Sequence, residues 1–219
     1  MHQTTQNLLN IKSQIKAKID ELKYNYSPEI IAVSKTFSIN HILPLIEHGH
    51  FHYGENKVQE ALNKWEEIKI KNKKIKLHML GKLQTNKVKL ALKIFDFIHS
   101  LDNIKLAQKI SEEQKKYIKK PKIFIQINIG NESQKSGISK NDLTEFYNEC
   151  VNLNLDIIGT MCLPPIDNEP DIFFSEMKKI NNSLKLSDLS MGMSDDYLKA
   201  IEYFTTYLRI GSKIFGKRN

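Results

Sequence analysis

The chain is predicted to fold as a single (β/α)8 barrel of the TIM type, an α/β domain over residues 1–219 with an amphipathic helix ahead of its first strand. Three observations carry this. Eight short apolar runs recur, each followed by a polar turn and a helix-like segment: IIAVS, FHYGE, KLHMLG, FDFIHSL, KIFIQINI, LDIIGTM, DLSMG and YLRIGS. Strands that alternate with helices join by right-handed crossovers into a parallel sheet, and eight such units close a barrel. No glycine-rich fingerprint follows the first strand, where an open doubly wound sheet would carry one. No linker rich in Pro, Gly or Ser divides the 219 residues, which fall below the roughly 250 typical of the barrel and so imply short connections.

The elements follow in order. Residues 3–23 place Leu8, Ile11, Ile15, Ile19 and Leu22 at steps of three or four, one apolar stripe of a helix. The first strand, Ile30 to Val33, ends in Ser34 and Lys35 and leads to a helix over 39–48. Strand 2 ends in Gly54, Glu55 and Asn56, and the helix over 56–70 carries Trp65 at helical spacing from Ala61 and Ile68, a core position. Strand 3 ends in GKLQTNK before a helix over 85–93, and strand 4 precedes a helix over 103–117. Strand 5 runs into the polar loop NIGNESQKSG and a helix over 140–153; strand 6 ends in TMCLPP before a helix over 170–184. Strand 7 ends in MGMS before a helix over 195–204, and strand 8 ends in RIGS with a short tail after Ser212.

Composition excludes several classes. The net charge of +8 is spread along the chain, and arginine occurs only at Arg209 and Arg218. The densest basic run, IKIKNKKIKLH, joins a helix to a strand without interleaved aromatics, so it reads as a solvated connection and not as a nucleic-acid surface. No apolar run is long enough to cross a bilayer, and the N-terminal segment is polar where a signal peptide needs an apolar centre, so a cytoplasmic protein without membrane contact is expected. Cys150 and Cys162 offer neither a disulfide framework nor metal-ligand spacing. His48, His50 and His52 alternate, and with His78 and His99 they raise a metal-dependent barrel hydrolase as an alternative. Against it, His50 and His52 fall at the start of strand 2, the far end of the barrel from the site, and no aspartate ends strand 8.

Barrels of this type place their site at the C-terminal ends of the strands and commonly bind phosphate in the loops after strands 7 and 8. There SMGMSDD offers Gly192 and, as an N-cap for the helix from Asp195, Ser194; RIGS offers Gly211 and Ser212. Taken singly, Ser194 is equally well only a cap and Gly211 only a turn. Lys35 across the mouth changes the balance. A phosphate site facing a lysine suits a phosphorylated aldehyde held as an imine, and desolvation at an apolar strand end lowers a lysine pKa toward the neutral amine this requires. Arg209, two residues before Gly211, can point inward and, placed against a pyridine nitrogen, would donate to it and keep it unprotonated; a plain ion pair is equally allowed there.

The set IIAVSKTFS, YGENKVQEAL, LHMLGKLQTNK, QINIGNESQKSGI, GTMCLPP, LSMGMSDDYLKAI and LRIGSKIFG, in this order from about residue 30 to 217, closely resembles the pyridoxal phosphate homeostasis proteins, barrels similar to alanine racemase. The chain departs in a shorter segment before strand 1 and in LHMLGK, where an aromatic is common at the third position. The resemblance implies pyridoxal 5'-phosphate as an imine on Lys35, its phosphate near Ser194, Gly211 and Ser212, Arg209 near the pyridine nitrogen and Asn56 close by. It assigns no contact to His78 or Gln84. A PLP-dependent racemase-like enzyme of low activity is the second reading. Racemisation needs a base on each face of the substrate carbon. The racemases bring their opposing tyrosine from a further C-terminal domain, whereas this sequence stops at Asn219. A monomer that holds PLP for vitamin B6 and amino-acid homeostasis, with PLP-dependent apoenzymes as recipients and no turnover of its own, is therefore expected.

Overall fold

The computed structural model describes residues 1–165 and 169–216; Arg218 and the last part of the tail lie outside the described residues. Eight strands, β1 (Glu29–Val33), β2 (His52–Glu55), β3 (Lys76–Met79), β4 (Phe97–Leu101), β5 (Lys122–Ile127), β6 (Ile157–Cys162), β7 (Asp188–Ser190) and β8 (Tyr207–Ile210), close into a barrel in sequence order. All pairings are parallel, and β1 closes on β8 with Ile31 opposite Arg209. The (β/α)8 expectation is met.

The strands read as apolar runs because both faces are buried, yet the two faces differ in chemistry. Leu77, Ile98, Ile123, Ile125, Leu208 and Ile210 belong to the large cluster between sheet and helices. The residues that alternate with them fill the barrel with rings: His78 stacks on Phe97 at 4.2 Å between centroids and His99 on Phe124 at 4.2 Å, with Tyr207 against all four. A barrel interior is a packed core, normally aliphatic. Here it carries polar side chains that must be satisfied internally.

Around the sheet lie α1 (Gln3–Leu22), α2 (Ile39–Glu47), α3 (Val58–Lys71), α4 (Val88–Ile94), α5 (Ile104–Gln114), α6 (Leu143–Asn152), α7 (Pro170–Ser183), α8 (Tyr197–Glu202) and α9 (Ser212–Phe215), with a short 3-10 turn at Thr85–Lys87 before α4. The predicted stripe of α1 is buried at Leu8, Ile11, Ile15 and Ile19, and each such side chain contributes about 1.5–3 kcal/mol. The helix packs on α2, α8 and α9, and Asn7 donates to the Ile214 carbonyl at 2.9 Å. In this way α1 holds the segment that carries Ser212. One local expectation fails: Ser194 does not cap the helix after β7. That helix begins at Tyr197, and Asp196 closes the preceding turn by accepting from the Met193 N–H at 2.6 Å.

Candidate functional site

Lys35, Asn56, Ser194, Arg209, Gly211 and Ser212 line one cavity of about 480 Å3 at the C-terminal ends of the strands. They come from β1, β2, β7 and β8, so only the closed barrel brings them together. Val33, Leu80, Met161 and Leu163 supply apolar walls, and Asp195 adds a carboxylate at the rim of the β7 loop.

A buried ionic clamp sets the backbone around Lys35. Ser34 Oγ donates to Glu55 Oε1 at 2.7 Å, and Lys64 Nζ donates to the Ser34 carbonyl, to Glu55 Oε1 and to Glu60 Oε1 at 2.9–3.0 Å. On the other side of Lys35, the Thr36 N–H donates to Glu60 Oε1 at 2.7 Å. Thr36 has φ of +69°, a left-handed conformation costly for a β-branched residue. Both neighbours of the lysine are thus pinned, and the strain is held by the clamp. Trp65, the expected core residue, is fully buried and also donates to Glu55 Oε1 at 3.0 Å. Burial raises the Glu55 pKa against the opposing pull of Lys64 and its hydrogen bonds. For Glu60 burial pushes upward as well, but the Thr36 N–H and Lys64 outweigh it and hold the carboxyl below its usual range.

Arg209 is 5% exposed. It donates through Nη1 to Ser190 Oγ and through Nη2 to the Cys162 carbonyl, each at 2.7 Å. Burial lowers its pKa from the ordinary arginine value. Two anchors from β7 and β6 therefore aim a guanidinium at the cavity. Its backbone is fixed too, since the Arg209 N–H donates to the Gly192 carbonyl at 2.9 Å. Gly192 has φ of +87°, and a Cβ there would lie 2.6 Å from Ala200 Cβ, so this loop closes only with glycine. Burial pushes the Cys162 thiol up to about 12, so it is a protonated core residue.

Ser194 joins the two loops proposed for phosphate. Its Oγ accepts from the Gly211 N–H at 3.3 Å and the Lys213 N–H at 3.4 Å, so its hydroxyl serves the turn after β8 and not its own helix. Asn56 sits where the β2 and β3 loops touch: a Cβ on Gly81 would fall 2.3 Å from the Asn56 carbonyl oxygen. Gln84 is exposed, and His78 lies inside the barrel, away from the cavity lining.

Among the described residues no group of three or more His, Cys, Asp or Glu side chains is placed to hold a metal ion, and His50 Nε2 lies 2.9 Å from the His52 carbonyl. No helix of the described residues is long and apolar enough to cross a membrane. Sequence reading did not find Lys64, Glu60 or Ser190 because nothing local marks them: their partners lie on other elements.

Comparison with known proteins follows the same lines. The sequence profile of the alanine racemase N-terminal domain matches residues 11–219. The pyridoxal phosphate homeostasis protein of Pasteurella multocida is 34% identical over 98% of this chain and 97% of its own. The protein of the same name from Escherichia coli K12 is 32% identical over 100% of this chain and 98% of its own. Among solved structures, PipY of Synechococcus elongatus with PLP bound superposes with a TM-score of 0.86 at 30% identity, covering 98% of this chain and 100% of that one. An alanine racemase of Clostridium difficile shares the fold, with a TM-score of 0.74 at 16% identity over 99% of this chain and 57% of that one. Full-length identity above 30% on the same closed barrel places this chain in the pyridoxal phosphate homeostasis protein family, which is built on the alanine racemase N-terminal domain.

Proposed function

We propose that this protein binds pyridoxal 5'-phosphate on Lys35 and serves vitamin B6 and amino-acid homeostasis by holding and handing on the cofactor, without turning over a substrate. One observation carries the reading: the six residues named for the cofactor from sequence converge on a single cavity of about 480 Å3, a size suited to a small ligand. The donor set fits the group. Two cationic side chains, serine hydroxyls and the loop backbone face apolar walls able to flank a flat ring. When bound, pyridoxal 5'-phosphate supplies an aldehyde that condenses with a lysine amine and a ring that withdraws electrons.

The chain's own residues set how far that chemistry goes. Lys35 presents the amine from a backbone held on both sides by the clamp. Ser194, Gly211 and Ser212 offer hydroxyl and backbone donors for a phosphate. Arg209 stays a donor with its charge fixed, so a pyridine nitrogen facing it remains unprotonated and the ring is a weak electron sink. Among the described residues lining the cavity there is no tyrosine, histidine or cysteine, and the one carboxylate, Asp195, stands at the rim; proton abstraction from both faces of a carbon requires a second base. Recipients in this reading are PLP-dependent apoenzymes, and the protein acts as a monomer in the cytoplasm.

Titration of the protein with pyridoxal 5'-phosphate, followed by visible absorption, tests this. The expected result is a saturable band with one equivalent bound, lost in Lys35→Ala. Equal uptake by Lys35→Ala and the unaltered protein would overturn it.

A further inference from the structure

The barrel interior contains a continuous line of hydrogen-bonding groups that the proposed function does not use. His52 Nδ1 lies 3.0 Å from His78 Nε2, His78 Nδ1 lies 2.9 Å from His99 Nε2, and His99 Nδ1 lies 2.9 Å from Ser190 Oγ. Ser190 Oγ in turn accepts from Arg209. At the other end His52 Nε2 lies 3.8 Å from Glu29 Oε2, and His52 lines a cavity of about 520 Å3 at the N-terminal mouth of the barrel, opposite the proposed site. The chain of contacts therefore runs the length of the barrel, from a solvent-facing end to the guanidinium in the cofactor cavity.

Each imidazole uses its two nitrogens on opposite sides, Nδ1 toward Ser190 for His99, toward His99 for His78 and toward His78 for His52, so the three rings are linked head to tail. A neutral imidazole donates from one nitrogen and accepts at the other. All three rings must then carry their proton on the same atom. With the protons on Nε2, Ser190 donates to His99, His99 to His78, His78 to His52, and His52 faces the Glu29 carboxylate; Ser190 Oγ remains free to accept from Arg209. With the protons on Nδ1, His99 donates to Ser190, the serine oxygen receives two donors and the lone pair of His52 faces a carboxylate. The first arrangement satisfies every contact from Ser190 to His52 and turns the last N–H toward a carboxylate.

We propose that His52, His78, His99 and Ser190 form a positioning relay that couples protonation at the N-terminal mouth of the barrel to the hold on Arg209, and hence to cofactor affinity. The inference rests on the reading of the cavity given above. Uptake of one proton by His52 places N–H on both its nitrogens and sets a donor against His78 Nε2–H. The conflict is relieved when His78 passes its Nε2 proton to His52, His99 passes its own to His78 Nδ1 and Ser190 passes its hydroxyl proton to His99 Nδ1, the added proton restoring the serine hydroxyl. His99 then donates to Ser190, whose own hydrogen loses its acceptor, and the anchor that directs Arg209 is weakened. Coupling of this kind is reciprocal: a ligand that draws on Arg209 in its anchored position disfavours the proton on His52.

The groups around His52 fix the pH range. Burial lowers its pKa, Glu29 on β1 and Asp96 before β4 raise it, and Lys76 on β3 lowers it; the Tyr207 ring from β8 and His50 also border it. His78 and His99 are held neutral foremost by burial, His78 also by its neighbouring imidazoles and His99 by Arg209. His52 is the member that reaches solvent, so acid acts there first.

Affinity for pyridoxal 5'-phosphate is to be measured from pH 8.0 to 5.5 in the unaltered protein and in His52→Gln, with circular dichroism confirming the fold at each point. Titrations of the ligand and of Lys35 are common to both proteins and cancel in the ratio. The ratio of the two affinities is expected to stay near one at pH 8.0 and to change by about fivefold or more toward pH 5.5, the unaltered protein weakening more. A constant ratio would overturn the relay. In the unaltered protein without ligand, nitrogen NMR is expected to show protons on Nε2 of all three rings at pH 8.0; mixed tautomers would overturn it even where His52→Gln folds poorly. Failure of both proteins to bind at every pH sinks the reading of the cavity instead, and the coupling with it.

Discussion

At the scale of single residues, the difference between Lys35 and its supports shows what a sequence can reveal. A lysine closing an apolar strand is conspicuous, and so is an arginine two residues before a glycine in a chain that otherwise uses lysine. Glu55, Glu60 and Lys64 are not, because their role depends on Ser34 and Thr36, which lie on the neighbouring unit. Breaking a buried ion pair leaves its partner uncompensated, and the cost is several kcal/mol. Glu55→Ala is therefore expected to lower unfolding free energy by about 3 kcal/mol, since Lys64 at 9% exposure keeps only Glu60 and a carbonyl. Urea denaturation measures it; a loss under about 1 kcal/mol would mean that the clamp is weak. Thr36→Gly relieves the left-handed strain and is expected to gain about 0.5–1 kcal/mol after the entropy of glycine is subtracted.

At the scale of elements, the alternation of strands and helices was legible, since each of β1 to β8 lies on an apolar run read from sequence and extends past its ends by one residue at most. The errors lie at caps. Ser194 before an acidic pair has the signature of an N-cap, yet its hydroxyl bonds across to Gly211 and Lys213. A long-range turn competed with a local cap, and local sequence has no means of weighing the two. The hydroxyl ties the β7 and β8 loops, so Ser194→Ala is expected to weaken pyridoxal 5'-phosphate binding by about tenfold, the equivalent of one lost hydrogen-bonding group of about 1.4 kcal/mol. An unchanged affinity would show that these loops are fixed by other contacts. The histidine line escaped sequence reading for a similar reason. His52, His78 and His99 sit on three strands, and only strand register and closure set their rings nitrogen to nitrogen.

At the scale of the whole molecule, a barrel filled with imidazoles has a pH signature. His78 and His99 are held well below the ordinary histidine pKa by burial, and burial with the nearby Lys12 pushes His50 down to about 3. These groups are neutral in the fold while the unfolded chain takes up protons below its pKa near 6.5. Their contribution is fully present above that pH and is lost as pH falls, by up to about 1.4 kcal/mol per pH unit for each histidine. Urea midpoints are expected to be level from pH 8.0 to 7.0 and to drop steeply between 6.5 and 5.0, before most carboxylates titrate. A level profile through pH 5.0 would show that the rings accept protons inside the barrel. The same packing gives the protein its division of labour: an apolar shell between sheet and helices for stability, and a polar axis that ends on Arg209.

Lys35 is proposed to carry the cofactor. Borohydride reduction of the protein mixed with pyridoxal 5'-phosphate, followed by peptide mass spectrometry, tests it most directly. Loss of the visible band and a single pyridoxyl adduct on the peptide that contains Lys35 are expected. An adduct on other lysines alone, or none, would contradict it.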